Sequence, residues 1–347
     1  MENTECMNLE EGDHAHQEDQ SSTKKPFNFT VVPFNIEPHL EFIDFSKEGH
    51  LLLGSSNLVG KFWTGSVWFF NSGDVTPLEQ ESLSGHGCDS CVSAGKFLDS
   101  WEKIIIGEDS GKVTICSITK FEDDSTHFLP QHSETQHDGC ITSLAVLKDK
   151  LYSISAGSDM KINIWDNNNL EIQHKYSPAH SMEITCVCSS LEEEGVLFAS
   201  CSLDGSALLW DLKQSKPASA ISHHEFGLTS IAWKDDNTVV TGSIAGEVIY
   251  FDIRNRKEIN RLKFDKHPVH RVSINNDQGL LAVCGNSNII KVWDINTTEL
   301  VYTASEHKGF VRDLSWNPVN NNLYSCGFDK RIFPHIVPSS SEKEMLM

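Results

Sequence analysis

Two sets of residues in this chain have the makings of a nucleophile triad. His137, Ser155 and Asp159 form one, and His180, Ser200 and Asp204 follow in the same order at similar spacing. A hydroxyl, a base to take its proton and a carboxylate to orient the base are what serine acyl transfer requires. Two features of the sequence point to structure instead. Each set is followed by a tryptophan, Trp165 or Trp210, and the pattern is copied along the chain with decay. Ala245 and Ser287 stand where Asp is due, and Val283 where Ser is due. A catalytic centre is not copied and eroded, whereas a network that satisfies buried polar groups can be. In such a network Asp orients His, His reaches Ser, and Ser meets the indole N–H. His137, Ser155, Asp159 and Trp165, and likewise His180, Ser200, Asp204 and Trp210, therefore read as structural tetrads.

No other catalytic pattern is present. There is no G-x-S-x-G elbow, no phosphate-binding G-x-x-x-x-G-K and no H-E-x-x-H. The one C-x-x-C, "CDSC" from Cys88 to Cys91, lacks the second pair that a zinc ribbon needs, since Cys116 and Cys140 stand alone. "DHAH" at 13–16 lies in a polar acidic segment and reads as chance composition. The expectation is a non-enzyme with no catalytic residue, no metal and no cofactor.

The elements that carry the tetrads repeat. "KINIWD" (161–166), "SALLWD" (206–211) and "NIIKVWD" (288–294) end in Trp-Asp, and "GEVIYFD" (246–252) has Phe251 in the Trp place. The steps from Trp165 to Trp210, Phe251 and Trp293 are 45, 41 and 42 residues, the period of a WD-repeat propeller blade. "SVWFFN" (66–71), "KVTICSI" (112–118) and "KRIFPHIV" (330–337) fill the same slot. A histidine precedes the slot by 26–30 residues at His137, His180, His224, His267 and His307. Each opens a run alternating with period two, such as "CITSLAV" or "GLTSIAW". Each unit predicts three clear strands and a weaker outer fourth, such as "EINRLKF" (258–264). The fold class is all-β, a seven-bladed WD-repeat β-propeller over residues 27–338. The seventh unit lacks its fourth strand, and "FNFTVVP" (27–33) is expected to supply it, closing the ring through an N-terminal strand.

Residues 1–25 carry seven acids, no Arg and few apolar side chains, so a disordered acidic tail is expected there. A short polar tail is expected at 339–347. The formal charge of −21 disfavours direct binding to a phosphate backbone and favours basic protein partners, although solubility alone also accounts for it. No run of apolar residues is long enough to span a bilayer, and the N-terminal segment has neither region of a secretory signal. The ten cysteines then read as reduced thiols, mostly within strands, of a protein in cytoplasm and nucleus.

One stretch departs from the repeat. In "GSSNLVGKFWTGSVWFF" (54–70), Trp68 fills the strand slot, but Phe62 and Trp63 fall in what should be a short polar turn. Nine residues separate Ser56 from Ser66, against three between Ser202 and Ser206, so about six read as inserted. An inserted loop at the rim of a rigid disc suits binding, and "KFW" offers the residue types of interface hot spots. The competing reading folds Trp63 back over its blade as a satellite of the core.

The stretch 51–70, with "FVRDLSWNPVNNNLYSCGFDKRIFPHIVP" at 310–338, resembles the first and last blades of the methylosome WD-repeat proteins. The resemblance runs in order through all seven units, and is specific at these two segments. It implies a non-catalytic scaffold in a hetero-oligomer with the protein arginine methyltransferase that makes symmetric dimethylarginine. It also implies presentation of basic, arginine-rich substrates, among them histones and the Sm proteins of snRNP assembly. By the same resemblance Lys61, Phe62 and Trp63 would enter a pocket on the methyltransferase. A second reading comes from "FDIRNRK" (251–257), where Asp252 and Arg254 resemble the W-D-x-R pattern of substrate receptors for cullin-based ubiquitin ligases. Such endings also arise simply where a strand leaves for a turn.

Overall fold

The computed structural model describes residues 36–57, 63–122, 125–192 and 196–338. They form seven antiparallel sheets in chain order, six of four strands and a last of three among the described residues. Their first strands are His39–Phe45, Val92–Phe97, Ile141–Val146, Ile184–Ser189, Leu228–Asp235, Val269–Asn275 and Val311–Trp316. Each packs against the first strand of the next sheet, and Val311–Trp316 packs against His39–Phe45. The seven sheets are therefore the blades of a closed propeller, with first strands innermost around a central channel. The expected closing strand at 27–33 and both tails lie outside the described residues.

Position in a blade explains the character of each strand. Second strands are sandwiched between neighbouring blades, so Leu51–Ser56, Thr238–Ser243 and Leu280–Gly285 are buried at every residue. Outer strands face solvent; Lys257–Lys263 is mostly exposed, which is why its pattern is weak in sequence. The core is a series of seams between blades. Phe42, Leu52 and Phe69 of blade 1 meet Ile104, Ile106 and Cys116 of blade 2. In the next but one, Ile154 and Ile164 of blade 3 meet Phe198 and Trp210 of blade 4. An indole such as Trp210 removes roughly 200 Å² from water, worth about 5 kcal/mol before entropy is counted.

Polar clasps run from blade to blade along the inner strands. Ser143 Oγ accepts from the Val187 amide at 3.1 Å, and Ser230 Oγ from the Val272 amide at 3.0 Å. Asp313 Oδ2 accepts from Ile43 N at 3.1 Å, carrying the series from blade 7 into blade 1. Asp44 Oδ2 accepts from Phe97 N at 3.0 Å, carrying it into blade 2. The junction of blades 7 and 1 is further held by Arg312 Nε donating to Glu41 at 3.1 Å and Tyr324 donating to Asp74 at 2.7 Å.

Candidate functional site

The two tetrads assemble as hydrogen-bonded chains. His137 Nδ1 lies 2.9 Å from Asp159, His137 Nε2 lies 2.7 Å from Ser155 Oγ, and Trp165 Nε1 donates to Ser155 at 2.8 Å. His180 Nδ1 lies 3.2 Å from Asp204, its Nε2 lies 2.7 Å from Ser200, and Trp210 donates to Ser200 at 2.8 Å. Burial lowers the pKa of both histidines despite the facing carboxylates, so the rings are neutral at pH 7. A carboxylate only accepts, so Nδ1 carries the proton, Nε2 accepts from serine, and serine accepts from the indole. Burial alone would raise the Asp159 carboxyl, but bonds from His137 and the Asp138 amide take it below the ordinary value. Ser155 and Ser200 have no exposed surface, so no substrate reaches either hydroxyl.

Two variants of the network were not visible in the spacing. In blade 7, His307 bonds Asp329 at 2.9 Å and Ser325 at 2.8 Å, and His335 stands in the Trp place, its Nε2 2.8 Å from Ser325. His335 Nδ1 then accepts from Tyr302 at 3.1 Å, so the chain runs from Tyr302 to Asp329. In blade 1, the carboxylate of Glu37 takes the histidine's part and accepts from Ser55 and Ser66, with Trp68 donating to Ser66 at 2.6 Å. The marker histidines of blades 5 and 6 depart from the pattern. His224 accepts from the Phe226 amide, and His267 is paired with Asp265 at 2.9 Å.

The Asp after each Trp has a local task. Asp166, Asp211, Asp252 and Asp294 each accept from the amide two residues on, at 2.8–2.9 Å, capping the turn to the outer strand. Arg254 is exposed and lies against Asp252, with Nη2 3.1 Å from Oδ2. The Asp252/Arg254 pair thus belongs to a turn that other blades also build, with Asn168 donating to Asp166 at 3.0 Å and Gln214 to Asp211 at 3.2 Å.

Strand register revises the blade 1 insertion. Ser55 pairs with Ser66 across ten residues (56–65), where Ser200 pairs with Leu208 across seven (201–207). Three residues are inserted rather than six, because Ser56 and Ser202 are not equivalent positions. The ladder runs on to Asn57 and Thr64. Lys61 and Phe62 lie outside the described residues. Trp63 is 56 % exposed, which rules out the satellite-core reading.

Its location differs from the expected rim. Trp63 lines the mouth of a cavity of about 490 Å³ at the upper end of the channel, together with Asp109, Cys140, Glu183 and Arg312. Partial burial, then Asp109 and Glu183, push the Cys140 thiol up, so both carboxylates lie near that thiol. The geometry sets an exposed indole beside a vestibule wall of mixed charge, with Glu41, Asp109, Glu183 and Asp313 against Lys96, Arg271 and Arg312.

The repeats match the WD domain, G-beta repeat, at residues 125–166, 171–211, 258–294 and 298–333. These segments fall on blades 3, 4, 6 and 7 and the strands leading into them. Seven blades in a ring, six of four strands and one of three among the described residues, with WD repeats matched in four of them, define a WD-repeat β-propeller. Along 323 residues the chain is 26 % identical to the methylosome protein WDR77 of Xenopus laevis, covering 91 % of this chain and 95 % of that protein. The likeness to that methylosome WD-repeat protein thus spans almost the whole of both chains. Protein valois of Drosophila melanogaster is 23 % identical over 327 residues, 87 % of this chain and 88 % of the relative. Sec31A of Danio rerio is 25 % identical over 251 residues but is matched along only 19 % of its length, a likeness of repeats.

Proposed function

We propose that this protein is a non-catalytic scaffold which binds a protein arginine methyltransferase through its blade 1 loop, Lys61 to Trp63. It presents basic, arginine-rich substrates such as histones and Sm proteins for symmetric dimethylation, in cytoplasm and nucleus. The observation that carries this reading is Trp63, a large aromatic left 56 % exposed in the hairpin that exceeds the repeat length. End-to-end likeness to a methylosome protein supports the partner, and the −21 charge supports basic substrates through long-range attraction. The buried tetrads support the absence of chemistry at their serines.

Co-purification with the methyltransferase tests the reading. Trp63→Ala is expected to weaken the complex by about 2 kcal/mol, roughly thirtyfold in Kd, with an unchanged melting temperature. The eluate from the variant should lose arginine methylation in proportion. Equal recovery of enzyme by a folded Trp63→Ala protein removes the loop from the interface.

A further inference from the structure

The lower half of the channel is more basic than the upper. A second cavity of about 440 Å³ is lined by the ends of the inner strands and shares Lys96, Leu144 and Arg271 with the first. Its charged lining consists of Lys47, Lys96, Lys150 and Arg271, against Asp44 and Asp99 only. Arg271 is paired with Asp313 behind it, which leaves an excess of one positive charge inside a protein whose net charge is −21. Concave walls of low dielectric concentrate such a field.

The carboxylates present are already engaged. Asp44 pairs with Lys96 and holds the Phe97 amide, and Asp99 pairs with Lys47 at 3.4 Å. Asp149, beside Lys150, is turned to the Leu151 amide at 2.9 Å. Lys150 makes no ion pair among the described residues; burial, and then repulsion from Lys47, disfavour its charged form. Arg271 spends Nε on Asp313 at 2.9 Å, while Nη1 has only the Cys186 sulfur at 3.9 Å. The site therefore holds an ammonium and one edge of a guanidinium that lack an oxygen partner, beside two further lysines. Backbone geometry holds the Cα of the first in place: Lys150 has φ 62 and its amide bonds Leu147 O at 2.9 Å, closing the turn.

We propose that this lower vestibule binds a small, multiply charged phosphate anion, held by Lys150 and the Nη edge of Arg271 with Lys47 and Lys96 at its flanks. A multidentate anion fits because several of its oxygens can meet the Lys150 ammonium and the Arg271 Nη edge at once. Charge-assisted bonds to phosphate oxygens supply what the protein leaves unmet. This site is independent of the blade 1 loop and of the methyltransferase reading.

Calorimetric titration of the full chain with sodium tripolyphosphate at pH 7 and constant ionic strength tests it. Saturable one-to-one binding is expected, weakened about tenfold by Lys150→Asn, since Asn tolerates the left-handed turn while removing the charge. Lys47→Gln should weaken binding less, and Lys257→Gln, on the outer strand of blade 5, not at all. Absence of saturable heat in the wild type overturns the proposal, as does equal affinity in wild type and Lys150→Asn. If Lys150→Asn does not fold, Lys47→Gln against Lys257→Gln decides, and equal affinity in those two overturns it.

Discussion

Replacing Asp204 with alanine probes what the tetrads are for. The carboxylate accepts from the amides of Ser181 and Ser206, each at 2.9 Å, from the Ser206 hydroxyl at 2.6 Å and from His180 Nδ1 at 3.2 Å. After truncation His180 still reaches Ser206 Oγ at 2.9 Å, and the hydroxyl is free to rotate. The two amides lose a charged acceptor and have only water to replace it. Hydrogen bonds to a charged acceptor contribute about 1.5–3 kcal/mol each, and the low end for two gives a loss of about 3 kcal/mol. Unfolding entropy of about 2.1 cal/mol/K per residue over roughly 300 ordered residues is about 0.6 kcal/mol/K, so Tm should fall by about 5 °C. Asp204→Asn keeps one carbonyl acceptor and should lose about half as much. Scanning calorimetry of the three proteins at pH 7 measures this directly. An Asp204→Ala protein melting within 1 °C of wild type would refute the network as a stabilising device, and so would Asn proving as damaging as Ala.

Acid should destabilise the propeller from about pH 6.5 downward. Burial lowers the pKa of His137, His180 and His307 below 6.5 and brings His335 to about 4. In that window the unfolded chain binds more protons than the folded one, so stability falls as pH falls. The depressed carboxyls of Asp159 and Asp329 add a further loss at lower pH. His335→Trp restores the indole donor to Ser325 and removes one titrating group, so its Tm should vary less between pH 6.5 and 4; an unchanged slope assigns the sensitivity elsewhere. Gly95→Ala places a Cβ 2.3 Å from the Phe42 ring, and the loss should be about 1–3 kcal/mol by urea unfolding. Adding Phe42→Leu should recover part of it, and failure to do so would mean that the Phe42 contact is not the cause.

The fold was legible because a period near 42 residues survives wherever Trp-Asp or an apolar equivalent ends the third strand. Tetrads with all four residue types in place could be named from spacing alone. Those of blades 1 and 7 could not, because Glu37 and His335 supply the needed donor or acceptor under a different letter. The insertion was misjudged for a related reason. Serines at 55 and 56, and at 200 and 202, offer two alignments, and only pairing across the hairpin distinguishes them. The vestibules are not legible in sequence, since each cavity is assembled from short pieces of six or seven blades. Lys47, Lys96 and Lys150 sit in unrelated contexts until the ring brings the strand ends together.

The exchanges seen in blades 1 and 7 bear on how such a chain can change over time. Ser325 keeps one proton acceptor and one proton donor whether its neighbour is an indole or the imidazole of His335. Ser66 is served equally by a carboxylate. What a blade must hand down is therefore a balanced ledger of protons, and the letters that fill it are interchangeable in pairs. Substitutions at these positions are viable when they arrive as compensated couples, and a blade can drift far from its siblings without passing through an unsatisfied intermediate only where a third group, such as Tyr302, stands ready to take the spare bond.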